Sequence, residues 1–188
     1  SSLTGHLVFS TLHTNDAASA VTRLIDMGIE PFLITSSVIA IIAQRLVRVL
    51  CPRCRQAAIP DRESLANIGI DPDLTGPKKI YTKKGCPACM HTGYRGRTAI
   101  FEVLIMDEHL KRLVLKTSDA NQIQEEAGRR GMISLVEDGA RKVLEGKTSL
   151  EEVLRVTRIL KREEDILSPD ESARAAADGL FPAMAEKC

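Results

Sequence analysis

Apolar positions recur almost from the first residue. His6-Leu-Val-Phe-Ser-Thr-Leu-His13 reads as a buried strand, and Thr14, Asn15 and Asp16 follow it as a helix N-cap cluster. Over 17–27 the apolar residues Ala17, Ala20, Val21, Leu24 and Ile25 fall at helical spacing until Gly28 ends the helix. Glu30-Pro31 restarts the chain, and 32–43 reads as a second, largely buried helix. Leu46, Val47, Val49 and Leu50 could finish that helix or form a strand; a strand from about Arg45 is the preferred reading. The stretch 51–97 is rich in Pro, Gly, Lys and Cys, and within it only 62–68 suggests a short helix. Residues 98–106 (TAIFEVLIM) are another strand candidate. Helices are predicted over 107–116, 120–130, 134–145 and 150–157, with Asp107, Ser118 or Asp119, and Ser149 as N-caps and Gly131 and Gly146 as stops. Ser149 with Glu152 fits a capping box. From 159 to 188 alanines cluster and four basic side chains face seven acidic ones, which suggests a helical extension and a loosely held tail. The class is α/β. A buried strand preceded by only five residues suggests that the chain enters a domain midway.

Composition narrows the function. The 188 residues are 44% hydrophobic and 27% charged with a net charge of +1, so the chain is too apolar for wholesale disorder and carries no global charge asking for nucleic acid. With no Trp, two Tyr and four Phe, it is poorly equipped as an aromatic stacking platform. No secretory signal is evident, and the longest apolar run, Val38–Ala43, is far short of a bilayer span, so the chain is read as intracellular. In a reducing compartment, cysteines point to metal or redox chemistry before disulfides.

Their spacing decides. Cys51-Pro-Arg-Cys54 and Cys86-Pro-Ala-Cys89 are two C-x₂-C pairs with 31 residues between them. Each tight turn aims two thiolates at one point, and two such knuckles complete a closed tetrahedral shell suited to Zn²⁺. The alternative is a pair of redox or disulfide motifs, although such a motif usually occurs once, between a strand and a helix. A closed four-cysteine shell has no open coordination position, so its role would be to hold a loop region that lacks a core. Cys188 is left over as a free thiol. Lys83, Lys84, His91, Tyr94, Arg95 and Arg97 flank the second knuckle as a basic rim, either a solvated or protein-contacting face or a nucleic-acid surface.

On a strand, His6 and His13 would point to opposite faces, so they are not a two-histidine metal clamp. His13 would stand at the C-terminal edge, where α/β sheets bind ligands, among Ser10, Thr11, Thr14, Asn15 and Asp16. This chemistry suits sensing of a terminal phosphate; the alternative is a core histidine beside a plain helix cap. Gly146-Lys147-Thr148 resembles the end of a phosphate loop, but Arg141 stands where the motif needs glycine.

Taken together, Thr4-Gly-His-Leu-Val-Phe-Ser-Thr-Leu-His-Thr-Asn-Asp-Ala17 resembles the histidine box of the type II secretion ATPases and their type IV pilus assembly relatives. The resemblance continues through Arg23–Phe32, Ala43–Arg48, both cysteine knuckles, Thr92-Gly-Tyr-Arg-Gly-Arg97 and Ile100–Leu104, and extends to about Arg158. It implies the C-terminal part of a RecA-like P-loop ATPase core with an incomplete sheet and the histidine box (1–50). A tetracysteine zinc subdomain (51–97), a returning strand with a small helical C-terminal subdomain (98–158) and an uncovered tail (159–188) follow. It implies Cys51, Cys54, Cys86 and Cys89 as structural zinc ligands, and His6 and His13 as histidine-box residues. Thr11 and His13 would sense the nucleotide phosphate, with His13 the nearer contact. ATP and Mg²⁺ would belong to the full-length parent, a cytoplasmic homo-hexamer peripheral to the inner membrane on a secretion or pilus platform. The phosphate loop and Walker B segment of that family are not found in this sequence, so the chain alone is expected to be inactive. The competing reading is a stand-alone zinc-ribbon adaptor for protein or nucleic acid, which would have no need of the histidine segment.

Overall fold

The computed structural model describes residues 2–66, 68–70 and 80–157. After a 3-10 turn (Ser2–Thr4) come α1 (Ala17–Asp26), α2 (Pro31–Ser37), β1 (Ala40–Leu50), β2 (Gln56–Ala58), α3 (Arg62–Ala66) and β3 (Ile80–Thr82). A second 3-10 turn (Pro87–Cys89) precedes β4 (Tyr94–Ile105), α4 (Glu108–Val114), α5 (Ala120–Arg129) and α6 (Leu135–Leu144). A last helix, α7, covers 150–157. The tail from 159 and Cys188 lie outside the described residues.

β1 and β4 form a long antiparallel pair, from Ala40 opposite Ile105 to Leu50 opposite Tyr94, and β2 and β3 form a second, short one. The class is therefore mixed α/β with small antiparallel sheets. One face of the β1–β4 pair carries Ile41, Ala43, Val47, Ile100, Glu102 and Leu104 toward the helices. The other face leaves Ile42, Leu46, Phe101, Val103 and Ile105 open, Ile42 at 63% exposure. Such one-sided burial is natural to antiparallel sheets, but here the open face is apolar.

The main core joins Ala17, Ala18 and Val21 of α1 and Ile34 of α2 to Leu104, Met106, Leu110, Val114, Ile123 and Ala127. A second core joins Leu65, Ile68, Ile70 and Ile80 to Ala140, Val143 and Val153. The cysteine-rich region thus has apolar packing, shared with α6 and α7, and does not depend on metal alone for its interior. Gly139 marks the closeness of these two helices: a Cβ there would meet Val153 Cγ1 at 2.7 Å.

Two of the predicted elements depart from expectation. Residues 6–13 form no strand; Leu7 and Phe9 are 71% and 89% exposed. A strand needs a neighbour to take its amides and carbonyls, and among the described residues no strand pairs with this segment. Second, the helix expected over 32–43 stops at Ser37, and β1 starts at Ala40. Val38 is already extended, Ile39 O accepts from Met106 N at 3.0 Å, and the β-branched Ile41 and Ile42 lie opposite Leu104 and Val103. The later helices fall where capping predicts them: Asp107 Oδ1 accepts from His109 N and Leu110 N, and Asp119 Oδ1 from Asn121 N. Ser134, not anticipated, caps α6 in a full capping box with Glu137. Gly146 does separate α6 from α7, in a left-handed turn with φ +69°. Among the described residues, no helix is long and apolar enough to cross a membrane.

Candidate metal centre

The chain leaves the sheet at Leu50 and returns at Tyr94, so both knuckles sit where those paired strands end. Cys51 N donates to Gly93 O at 2.9 Å, which ties one knuckle to the exit of the other. The first knuckle is a turn closed by Cys54 N and Arg55 N on Cys51 O; the second is closed by Cys89 N and His91 N on Cys86 O. Met90 and His91 continue it in the left-handed region, φ 50° and 58°.

All four Sγ atoms lie within 4.8 Å of one another. Cys51 and Cys86 are 4.0 Å apart, Cys54 and Cys89 3.8 Å, and Cys86 and Cys89 3.7 Å. A tetrahedral zinc–thiolate shell, with Zn–S of about 2.3 Å, requires S···S of about 3.8 Å. Cys51, Cys54 and Cys89 are buried and Cys86 is half-buried. Burial pushes the Cys54 thiol well up. Burial acts upward on Cys89 as well, but the amides of Cys86 and Gly93, each donating to its Sγ at 3.3 Å, bring it down toward the thiolate a metal needs. The donor set, spacing and amide support are compatible with a bound metal ion.

Glycine is required twice here. At Gly85 (φ +109°) a Cβ would stand 2.6 Å from His91 O, and at Gly93 (φ +80°) 2.5 Å from Lys83 Cβ. Gly93→Ala is expected to cost about 2 kcal/mol and weaken metal retention, whereas Gly96→Ala, equally left-handed but with open space around it, should cost about 1 kcal/mol and leave retention intact. Urea midpoints and competition with a colorimetric chelator measure the two effects.

A polar joint fastens the centre to the last helix. Glu152, fully buried, accepts from Arg48 N at 3.2 Å and pairs with Arg48 Nη2 at 2.6 Å and Arg155 Nη2 at 2.8 Å. The Arg48 guanidinium lies 4.2 Å from the centre of the Tyr94 ring, whose hydroxyl shares a 2.7 Å hydrogen bond with Ser149 Oγ. Ser149 Oγ caps Glu152 N at 3.2 Å as expected, but the Glu152 carboxylate turns to the arginines instead of closing a capping box. Arg55 Nη1 donates to Gly146 O at 2.7 Å, and Thr148 Oγ1 to Arg48 O at 2.8 Å, so the Gly-Lys-Thr tract docks on the sheet's end. The joint is not legible in the sequence, where Glu152 reads as a capping-box partner of Ser149; the one local signal for it is the spacing of three between Glu152 and Arg155 on α7.

His6, Thr11 and His13 all lie exposed along the extended segment, and His6 Nδ1 is hydrogen-bonded to Thr4 Oγ1 at 3.2 Å. Among the described residues, none of the three joins the four cysteines as a metal-ligand group.

Fold and site define a mixed α/β chain whose long hairpin is interrupted by a four-cysteine, metal-compatible insertion. Residues 1–155 match the family described as type II/IV secretion system protein, and the chain belongs to that family. It is 51% identical over 157 residues to the Type II secretion system protein E of Pseudomonas aeruginosa, covering 84% of this chain and 31% of that protein. It is 51% identical over 157 residues to the Type II secretion system ATPase E of Vibrio cholerae, with 84% and 31% covered. To the Type IV pilus assembly ATPase TfpB of Acinetobacter baylyi it is 49% identical over 154 residues, with 82% and 26% covered. The chain thus spans under a third of the length of these curated relatives.

Proposed function

We propose that this chain is the zinc-stabilised, phosphate-sensing portion of a hexameric cytoplasmic ATPase that powers type II secretion or pilus assembly. The observation that carries this reading is the roughly half identity, across the matched residues, to a secretion ATPase and a pilus assembly ATPase. Cys51, Cys54, Cys86 and Cys89 would hold the zinc, which supplies structural cross-linking and no open position for catalysis. His13, with Thr11 beside it, would hydrogen-bond the terminal phosphate of ATP, with His6 on the same segment. Residues 1–50 would contribute to the nucleotide-binding core, 51–97 form the zinc subdomain and 98–158 the returning strand and helical subdomain. The hexamer would dock peripherally on an inner-membrane platform.

The 188 residues contain no complete G-x-x-x-x-G-K-[ST] loop to cradle phosphates and position Mg²⁺. The pure chain is therefore expected neither to bind ATP tightly nor to release phosphate. Calorimetric titration with ATP and a phosphate-release assay test this; turnover at the rate of a full-length secretion ATPase overturns it.

A further inference from the structure

The exit of the histidine segment is held from a distance. Asp16 caps α1 locally, its Oδ1 accepting from Ser19 N at 2.7 Å. The amide of Ala17, the first of the helix, instead donates to Glu102 Oε1 at 2.9 Å, from the middle of β4. Glu102 is buried, and its other oxygen accepts from Gln124 Nε2 of α5 at 3.1 Å. Just ahead of the helix, Arg45 Nη2 of β1 donates to Thr14 O at 3.2 Å, Asn15 O at 3.4 Å and Asn15 Oδ1 at 3.3 Å.

Arg45 and Glu102 share the inward face of the hairpin, where their cross-strand partners are Ile100 and Ala43. Apolar side chains suit that face, so hairpin building does not call for a guanidinium and a carboxylate there. A buried carboxylate is costly unless donors satisfy it, and a helix N-terminus offers both a free amide and a favourable dipole. Between them the two side chains take the carbonyls of 14 and 15 and the amide of 17, which fixes the backbone directly after His13.

We propose that Arg45 and Glu102 are positioning residues that set where His13 stands against the terminal phosphate of a nucleoside triphosphate. This rests on the reading of His13 as a phosphate contact. The clamp acts on geometry at the reacting phosphate and not on the bulk of nucleotide binding. Displacements of the order of 1 Å cost about 100-fold in rate, so loss of either residue should appear in kcat.

The test uses the full-length ATPase that carries this segment. Arg45→Ala and Glu102→Ala are expected to lower kcat by roughly 10- to 100-fold with KM for ATP within about 3-fold. Glu102→Gln, which keeps an oxygen for the Ala17 amide, should recover most of kcat. In a His13→Ala background, Glu102→Ala should change kcat by less than about 2-fold, because both act through one contact. A full additional loss in that background, or unchanged kcat in both single variants while His13→Ala is impaired, overturns the positioning role. Unchanged kcat in His13→Ala overturns the phosphate-contact reading itself and the positioning role with it. If Glu102→Ala fails to fold, Arg45→Ala at unchanged thermal midpoint, alone and in the His13→Ala background, carries the same comparison.

Discussion

Stripping metal from the tetracysteine centre, or replacing Cys51 by Ser, is expected to loosen two parts of the molecule together and spare a third. Purified without added chelator, the protein should hold about one equivalent of zinc by metal analysis. On removal, amide exchange should rise on the order of 100-fold over 51–66 and 80–94, because metal binding in such knuckles is folding energy. It should rise as well in α6 and α7, whose Ala140, Val143 and Val153 share a core with Leu65, Ile68, Ile70 and Ile80. The helices α1, α4 and α5 close a separate core and should keep their protection. The helices beyond 107 are thus divided by the core each one closes. Exchange that rises equally in both cores, or that leaves α6 and α7 untouched, contradicts this division.

Glu152 carries the second large effect. Burial alone would raise its carboxyl, but the side chains of Arg155 and Arg48 and the Arg48 amide outweigh it and hold the group down at about 2, against an ordinary value of 4.5. A depressed carboxyl contributes stability that is fully present above pH 4.5 and is lost as pH falls through about 2. Cutting a buried ion pair costs about 3–5 kcal/mol when the orphaned partner stays buried. Here the side chains of Arg48 and Arg155 are 42% and 50% exposed and can rehydrate, so Glu152→Gln is expected to cost about 2 kcal/mol. Urea unfolding at pH 7 measures that loss. Repeated at pH 2.5, the gap between the two proteins should narrow to well under half; a gap that persists means the carboxylate's charge is not what holds the joint.

How much could be read from the residues themselves depends on how local each determinant is. Asp107, Asp119 and the break at Gly146 are decided within a few residues, and they stand where the sequence places them. The cysteine knuckles are equally local: two short turns whose convergence the spacing already implies. The strand over 6–13 is not local. Its pattern says only that it suits a sheet, and pairing is decided by a neighbour. The boundary between α2 and β1 was misplaced because Val38–Ala43 is apolar without interruption, which fits a buried helix as well as a strand. Only the partner in β4 settles it. Arg45 and Glu102 escape the sequence for the same reason, and Glu152 reads there only as a capping-box residue. The role of each is set by a group far along the chain that arrives opposite it.

The position of the cysteines at the base of the β1–β4 pair also bears on how fast the molecule can form. Leu50 meets Tyr94 and Ala40 meets Ile105, so the sheet's registers are separated by a long loop that must close first. Loop closure is the slow, entropically opposed step in non-local strand pairing. A metal ion that drew Cys51 and Cys54 onto Cys86 and Cys89 would perform that closure and leave β1 and β4 to zip outward from a fixed end. Refolding of the β1–β4 pair is therefore expected to be faster with the metal bound than without it.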